Sequence, residues 1–401
     1  MGEKKRILIV SHALELGGAE RSLIGLLHAL SPQRCQVDLF LLRHEGELMG
    51  DIPPHIRLLP EVAAYTVLAR PMKDTLREGH LLLTAARVFG KLAAGVYSRR
   101  HRYTESMVAL EYSHKYTCPF MPAIQPEVEY DLAISFLTPH YFVWKKVRAR
   151  KKAAWIHTDY EAIQIDTASE EKMWSAYDAI VSISEQCTRG FLSRFPALCS
   201  KIVRIDHMLA PAWIRAQADK CDVSGEMCRG VEKLLSVGRF CHAKNFDNVP
   251  DICRRLRALG RDVHWYLIGF GGDEELIRSK ITEAGMEEHV TILGKRENPY
   301  PYMKACDLYV QPSRYEGNCV CVHEAQILGK PVVIADYATS ASQLRDGVDG
   351  IIVPMDNEGC AQGIATVLAD EALRKRIVAG GWQAGTPDQT ALEILYRLSG
   401  D

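Results

Sequence analysis

The sequence predicts an α/β chain built as two doubly wound parallel-sheet domains. Three observations lead there. The chain has 401 residues, too many for one ordinary core and suited to two domains of about 200 each. Short unbroken apolar runs such as RILIVS at 6–11 read as strands buried on both faces. Such runs alternate with helical patterns along most of the chain, the rhythm of parallel strands joined by crossover helices.

The elements follow in order. The strand at 6–11 leads into Gly17-Gly18, then a helix over 19–30 that carries Leu23, Leu26, Leu27 and Leu30 on one face, then a strand at 36–42. That makes one βαβ unit. Residues 70–124 read as a helical elaboration, with apolar stripes (Leu81, Leu82, Leu83, Val88, Leu92) and many cations. Strand rhythm returns at 131–136. A basic helix is expected to hold Lys145, Lys146, Arg148, Arg150, Lys151 and Lys152, followed by strands at 153–157, 179–182 and 201–205. Residues 206–232 lack strong periodicity and carry Pro211, Gly225 and Gly230, so they read as an interdomain linker. The second domain takes strands at 233–237, 264–268, 290–293, 308–311, 331–335 and 350–353. The expected boundaries are 1–208, 209–382 and a last helix within 383–401.

Net charge is −1, which gives the whole molecule no bulk electrostatic reason to bind nucleic acid. The charge is uneven. Up to Arg215 there are 28 Lys and Arg against 23 Asp and Glu, so the first half is basic and the second acidic. The 12 cysteines include no C-x-x-C pair, and Cys319-x-Cys321 is too close for a zinc clasp. No signal-peptide h-region is visible and no uninterrupted apolar stretch reaches the length of a membrane span. With free thiols, this leads to the expectation of a cytoplasmic protein.

Chemistry concentrates in the second domain. Arg239 follows directly on its first strand and Lys244 lies five residues later. Loops at the carboxyl ends of parallel strands line the ligand crevice. A guanidinium there grips phosphate oxygens in pairs, and an ammonium adds a point charge. The plain alternative is a solvated loop. Next come Glu316 and Glu324, within EGNCVCVHE. Carboxylates accept paired hydrogen bonds from vicinal hydroxyls, as sugars and riboses present them. The pair also suits acid/base hydrolysis, or a capping glutamate beside a surface one. The backbone amides between them precede a helix and can meet phosphate.

In the first domain, Gly17-Gly18 permits close backbone approach to phosphate or simply makes a tight turn. The G-x-G-x-x-G pattern of a dinucleotide cofactor is absent. Gly269-Phe270-Gly271-Gly272 reads as a turn capped by Asp273. His157 ends a strand, and so faces the crevice or serves the core. His12 sits similarly, and His323 reads as a packing residue. The cations at 145–152 and at Arg99, Arg100 and Arg102 are solvated faces or a dock for anionic lipid.

Taken together, these pieces resemble the retaining glycosyltransferases of the GT-B fold, specifically glycosyltransferase family 4, the glycosyl transferases group 1. The motifs are LLSVGRFCHAKN at 234–245, HWYLIGFGGDEEL at 264–276, the 290–336 segment with its spaced glutamates, and DGVDGIIVPMD at 346–356. Gly17-Gly18-Ala19-Glu20 is similar to the first-domain loop. The likeness covers nearly the whole chain apart from the helical region around 65–125.

The resemblance implies two Rossmann-like domains facing a central cleft, with the acceptor bound by the first and the donor by the second. It implies that Arg239 and Lys244 bind the donor diphosphate, that Glu324 holds the ribose, and that Glu316 contacts the transferred sugar. Amides around Asn318, Cys319 and Val320 would touch phosphate and sugar. Gly17 and Gly18 would approach the diphosphate, His157 would lie near the reacting sugar, and Arg296 near the nucleobase. The family usually has an aromatic and a glycine where this chain has Asn318 and Cys319, which puts the sugar's identity in question. No metal or other cofactor is implied.

The implied reaction moves a hexose, from a UDP-sugar first, to a saccharide or lipid-linked saccharide in bacterial surface polysaccharide assembly. Basic helices would allow a peripheral position on the inner face of the cytoplasmic membrane. The alternatives are a GT-B sugar-nucleotide epimerase or hydrolase, and a non-catalytic nucleotide-sugar-binding subunit of a partner enzyme.

Overall fold

The structure, a computed structural model, describes residues 4–103, 106–137, 140–158, 160–381 and 389–400. It divides into two compact units, Met1–Leu209 with Pro387–Asp401, and Ala210–Thr386. The domain end expected at 382–383 falls outside the described residues.

Among the described residues the first unit holds seven strands: β1 (Lys5–Ser11), β2 (Cys35–Leu41), β3 (Arg57–Leu58), β4 (Tyr130–Ser135), β5 (Ala149–Ile156), β6 (Ala179–Ser182) and β7 (Ile202–Arg204). They form one parallel sheet in the order β3-β2-β1-β4-β5-β6-β7. β1 lies at the centre, with Ile9 opposite Leu39 on one side and Ile134 on the other. That position explains why its residues from Ile7 onward are all buried, and why it reads as an unbroken apolar run. The exception inside the sheet is Asp38 on β2. It is buried, but its carboxylate accepts from Arg57 Nε at 2.7 Å and from the Tyr130 hydroxyl at 2.6 Å, which is how a buried charge is tolerated.

The last helix, Gln389–Leu398, belongs to the first unit. The Ser31 N–H donates to the Tyr396 hydroxyl at 2.9 Å, and the Arg34 guanidinium lies 3.7 Å from the Tyr396 ring centre. Arg34 also pairs with Glu393.

The second unit holds β8 (Glu232–Val237), β9 (Val263–Ile268), β10 (Val290–Gly294), β11 (Leu308–Gln311), β12 (Val332–Ala335) and β13 (Ile351–Val353). They form a parallel sheet in the order β10-β9-β8-β11-β12-β13. The order reverses direction between β8 and β11, the point where such sheets open a crevice at their carboxyl ends.

Three expectations are corrected. The basic run 145–152 is not one helix. A helix ends at Lys146 and β5 begins at Ala149. The start of β5 is exposed, so it accepts charge: Arg150 pairs with Asp131 on β4, and Lys151 with Asp178. The stretch 206–232 is more than a linker. It carries the helix Pro211–Ala218, which buries Ile214 and Gln217, and Pro at its first position suits a helix start. Asp273 precedes the helix Glu274–Ala284 without a side-chain capping bond. The glycines before it serve backbone approach instead. Gly269 and Gly271 have φ of 156° and 154°, and a Cβ there would meet the Gly238 carbonyl oxygen at 1.8 Å and that of Phe240 at 2.3 Å.

Candidate functional site

The site grows from the two loops at the β8/β11 switch point. Gly238 to Asn245 leaves β8, and Pro312 to Cys319 leaves β11. Both loops start at the carboxyl ends of adjacent strands, so they meet although their residues lie some 70 positions apart. Asn245 stands at φ 60°, and its side-chain amide donates to the Pro312 carbonyl at 2.8 Å. Arg314 joins the loops again, donating to both carboxylate oxygens of Asp247 (2.8 and 2.7 Å) and to the His242 carbonyl at 2.7 Å.

On this frame Lys244 Nζ donates to Glu316 Oε1 at 2.5 Å. Both side chains are largely buried, 18% and 11% exposed. Glu316 is fixed from behind by an interior chain of hydrogen bonds. The Tyr309 hydroxyl donates to Gln311 Oε1 at 2.8 Å, Gln311 Nε2 to Ser313 Oγ at 2.9 Å, and Ser313 Oγ to Glu316 Oε1 at 2.6 Å. Thr339 Oγ1 holds the Glu316 carbonyl at 2.7 Å. Oε1 thus takes both the ammonium and the hydroxyl, while Oε2 takes no hydrogen bond among the described residues. Burial pulls the Lys244 pKa down, but Cys319, Glu316 and Cys321 outweigh it, and the net shift is upward. Lys244 is therefore a fixed cation and not a proton donor at neutral pH.

Arg239 is exposed on the same loop, with no hydrogen bond or ion pair among the described residues. Cys319 caps the helix Val320–Ile327, and its Sγ lies 3.9 Å from Lys244 Nζ. Its N–H donates to Gln343 Oε1 at 2.7 Å, so of the three amides expected to meet phosphate this one is already engaged. Asn318 Oδ1 is buried without a partner. Glu324 is fully buried, its Oε1 accepting from the Tyr300 hydroxyl at 2.7 Å.

Arg296 lies on the loop after β10, outside the Lys244–Glu316 frame. It pairs with Glu226 at 2.5 Å and lies over the Tyr302 ring, whose hydroxyl also donates to Glu226. His323 is bonded to Gln326 and Gln343.

In the first unit, Gly17 and Gly18 start the helix Gly18–Ala29 at the carboxyl end of β1, which borders the β1/β4 switch point. His157 follows β5. Both its ring nitrogens are buried without a partner, and its ring lies 4.8 Å from Phe136. Burial, with His207 nearby, lowers its pKa to about 3, so the ring is neutral. It lines a cavity of about 90 Å³ together with Glu111, His140, Glu170 and Trp174. Glu111 Oε2 is likewise buried without a partner. Burial raises the Glu170 pKa to about 7, although the Tyr160 hydroxyl donates to its carboxylate at 2.8 Å.

Sequence reasoning missed Ser313, Thr339, Gln343 and Tyr300, which position the expected residues. Ser313 had a usable signal in its place three residues before Glu316. The others come from separate loops and had none. Glu111 and Glu170 were also missed, since a carboxylate on a helix reads as solvated until packing buries it.

Comparison with known proteins adds a likeness confined in sequence to the second unit. Residues 229–383 match the family model described as glycosyl transferases group 1. The chain is 33% identical over 144 residues to the N-acetylgalactosamine-N,N'-diacetylbacillosaminyl-diphospho-undecaprenol 4-alpha-N-acetylgalactosaminyltransferase of Campylobacter jejuni, covering 35% of this chain and 39% of that one. It is 30% identical over 151 residues to the lipopolysaccharide core biosynthesis glycosyltransferase LpsE of Rhizobium meliloti, covering 37% and 43%. The matches thus span about two fifths of these relatives' lengths. In fold the chain is similar to HepE of Anabaena, solved in complex with UDP and glucose, with a TM-score of 0.67 at 16% identity over 99% of this chain and 100% of that one. The second unit is thus similar to the glycosyl transferases group 1 over residues 229–383, and the fold of the chain is GT-B.

Proposed function

We propose that this chain is a retaining glycosyltransferase that moves a hexose from a nucleoside diphosphate sugar, UDP-linked first, to a saccharide or lipid-linked saccharide in bacterial surface polysaccharide assembly. The observation that carries the reading is the Lys244–Glu316 pair at the β8/β11 switch point, with Arg239 unpaired on the same loop. Negative charge grows on the departing diphosphate, so cations placed beforehand lower the barrier. Lys244 is held rigidly for that role and Arg239 is free to grip. Glu316 leaves Oε2 open for sugar hydroxyls, and Glu324 takes the ribose once a ribose hydroxyl replaces that of Tyr300. With two protein cations on the leaving group, the reaction is proposed to run without metal and with the departing phosphate assisting same-face attack. His157 enters the reading only through the family resemblance.

The relatives' names support a bacterial polysaccharide setting, and the UDP complex of HepE supports the choice of nucleotide. The test is turnover with a panel of UDP-sugars, with and without lipid-linked acceptor and with chelator present, followed by NMR of the product's anomeric configuration. Inversion, chelator sensitivity, or sugar release at the same rate without acceptor each removes its part of the reading.

A position at the inner face of the cytoplasmic membrane is proposed from the helix Leu81–His101. By length and composition this helix is apolar enough to cross a membrane, with a mean hydropathy of 1.2 in its best window, but Arg87 and Lys91 interrupt it. One side packs on the first unit through Leu83, Ala86, Gly90 and Ala94, and Arg87 donates to the Arg70 carbonyl at 2.8 Å. The opposite side exposes Leu82, Val88, Phe89, Leu92 and Val96 in a stripe that ends near Arg99 and Arg100. An apolar stripe finished by cations suits an interfacial helix on anionic lipid.

A further inference from the structure

The first unit contains a second cavity, unrelated to the residues expected from the sequence to bind donor. It is a groove of about 500 Å³, lined by Lys115, Lys145, Lys146 and Lys172 together with Tyr141, Trp144, Ser169, Cys118 and Pro119. The lysines come from three helices, Val108–Thr117, His140–Lys146 and Thr167–Trp174. Among the described residues no carboxylate lines the groove and none of the four lysines forms an ion pair. Four like charges around one concavity raise the local positive potential, which favours an anion there.

The bland explanation for lysines at a helix end is that they cap its carbonyls. Here that task falls to Lys152, whose Nζ donates to the carbonyls of Trp144 at 2.7 Å and Val147 at 2.8 Å. Lys145 instead lies with its Nζ 3.6 Å from the centre of the Trp144 ring. Lys115 Nζ donates to Ser169 Oγ at 2.5 Å, and Ser169 in turn donates to Glu111 Oε1. Glu111 is the carboxylate linked to Lys115 through Ser169. It stands behind the wall of Tyr141 and Ser169, bonded to both. Lys146 Nζ donates to the Pro119 carbonyl at 3.3 Å, so Lys115 and Lys145 are oriented by hydroxyl and aromatic groups, Lys146 by a carbonyl, and each ammonium keeps donors for a ligand.

We propose that this groove is a phosphate-binding site for a diphosphate or a phosphate-bearing headgroup, gripped by Lys115, Lys145, Lys146 and Lys172. The size suits one or two phosphate groups, and the aromatic wall suits an apolar continuation of the ligand. The free-diphosphate form of the proposal stands apart from the transferase reading, because it is tested by binding alone. The headgroup form rests on the membrane reading.

The test compares full-length wild type with a Lys145→Ala/Lys172→Ala variant, both positions being exposed, each also in a Lys244→Ala background that removes the cation proposed to bind diphosphate in the second unit. Inorganic pyrophosphate is titrated by calorimetry at low salt. Sedimentation is measured with vesicles of phosphatidylglycerol and of phosphatidylcholine. Pyrophosphate affinity is expected to fall at least about tenfold when the groove substitutions are added in the Lys244→Ala background. A loss confined to phosphatidylglycerol vesicles in the groove variant supports the headgroup as the source. Pyrophosphate binding that depends only on Lys244, or binding of both probes that the groove variant leaves intact, overturns the proposal. So does a wild type that binds neither probe.

Discussion

Lys244 Nζ stands 2.5 Å from Glu316 Oε1, across 72 residues of sequence, because their loops leave neighbouring strands at the point where the sheet order reverses. A salt bridge this buried is a poor source of net stability but a good source of fixed geometry. Its two halves are therefore expected to matter unequally to folding and equally to chemistry.

Lys244→Ala and Glu316→Ala are each expected to cut turnover by at least about tenfold, a barrier increase of about 1.4 kcal/mol. The check is kcat on a UDP-sugar with the acceptor saturating. Wild-type rates in both variants refute the site.

Glu316→Ala is also expected to destabilise the second unit, by on the order of 3 kcal/mol, because it leaves an ammonium buried without its partner. A Lys244→Met/Glu316→Leu double variant recovers most of that loss while remaining inactive. Denaturant unfolding of the four proteins decides it, and additive losses contradict the claim.

Gly269→Ala is expected to cost on the order of 1–3 kcal/mol and to weaken UDP binding. Its φ of 156° disfavours a side chain, and the new Cβ would press on the Gly238 carbonyl beside Arg239. Thermal unfolding with and without UDP separates the two effects. A variant as stable as wild type shows that the backbone there relaxes freely.

Glu170 is a pH-dependent liability. Burial raises its pKa from 4.5 to about 7, so between those values the unfolded chain has lost a proton that the folded chain keeps. Stability therefore falls as pH rises through that window and levels off above it. Glu170→Gln removes this term. Relative to wild type it is expected to gain stability from pH 4.5 to 7, by on the order of 3 kcal/mol. Denaturation midpoints across that range measure it, and a constant difference between the two proteins contradicts the shift.

Vesicle binding through the helix Leu81–His101 is expected to weaken severalfold in Phe89→Glu/Leu92→Glu, and also at high salt, where surface charge is screened. Sedimentation with anionic vesicles reads both. Binding that ignores salt and substitution alike removes the membrane reading.

Much of this was legible along the chain. Unbroken apolar runs marked the central strands because a strand covered on both faces has no polar side to show. The run at 264–268 is an example, every residue of β9 being buried. Arg239, Lys244 and Glu316 were legible as loop residues because they directly follow such strands. Arg150, Lys151 and Lys152 were misread as helical, since charge density masks the point where a helix gives way to an exposed strand start. Ser313 and Thr339 were passed over because a hydroxyl carries no signal until its partner is known.

By itself the sequence determined the two parallel sheets, the loops that carry the chemistry and the family that the second domain resembles, since each is written in short-range periodicity and ordered motifs. Only the tertiary structure decided that Lys244 and Glu316 meet, that Arg296 lies with Glu226 instead, and that Lys115, Lys145, Lys146 and Lys172 ring one groove. Contacts between distant residues follow from the order in which strands and helices pack. No local pattern of side chains encodes that order.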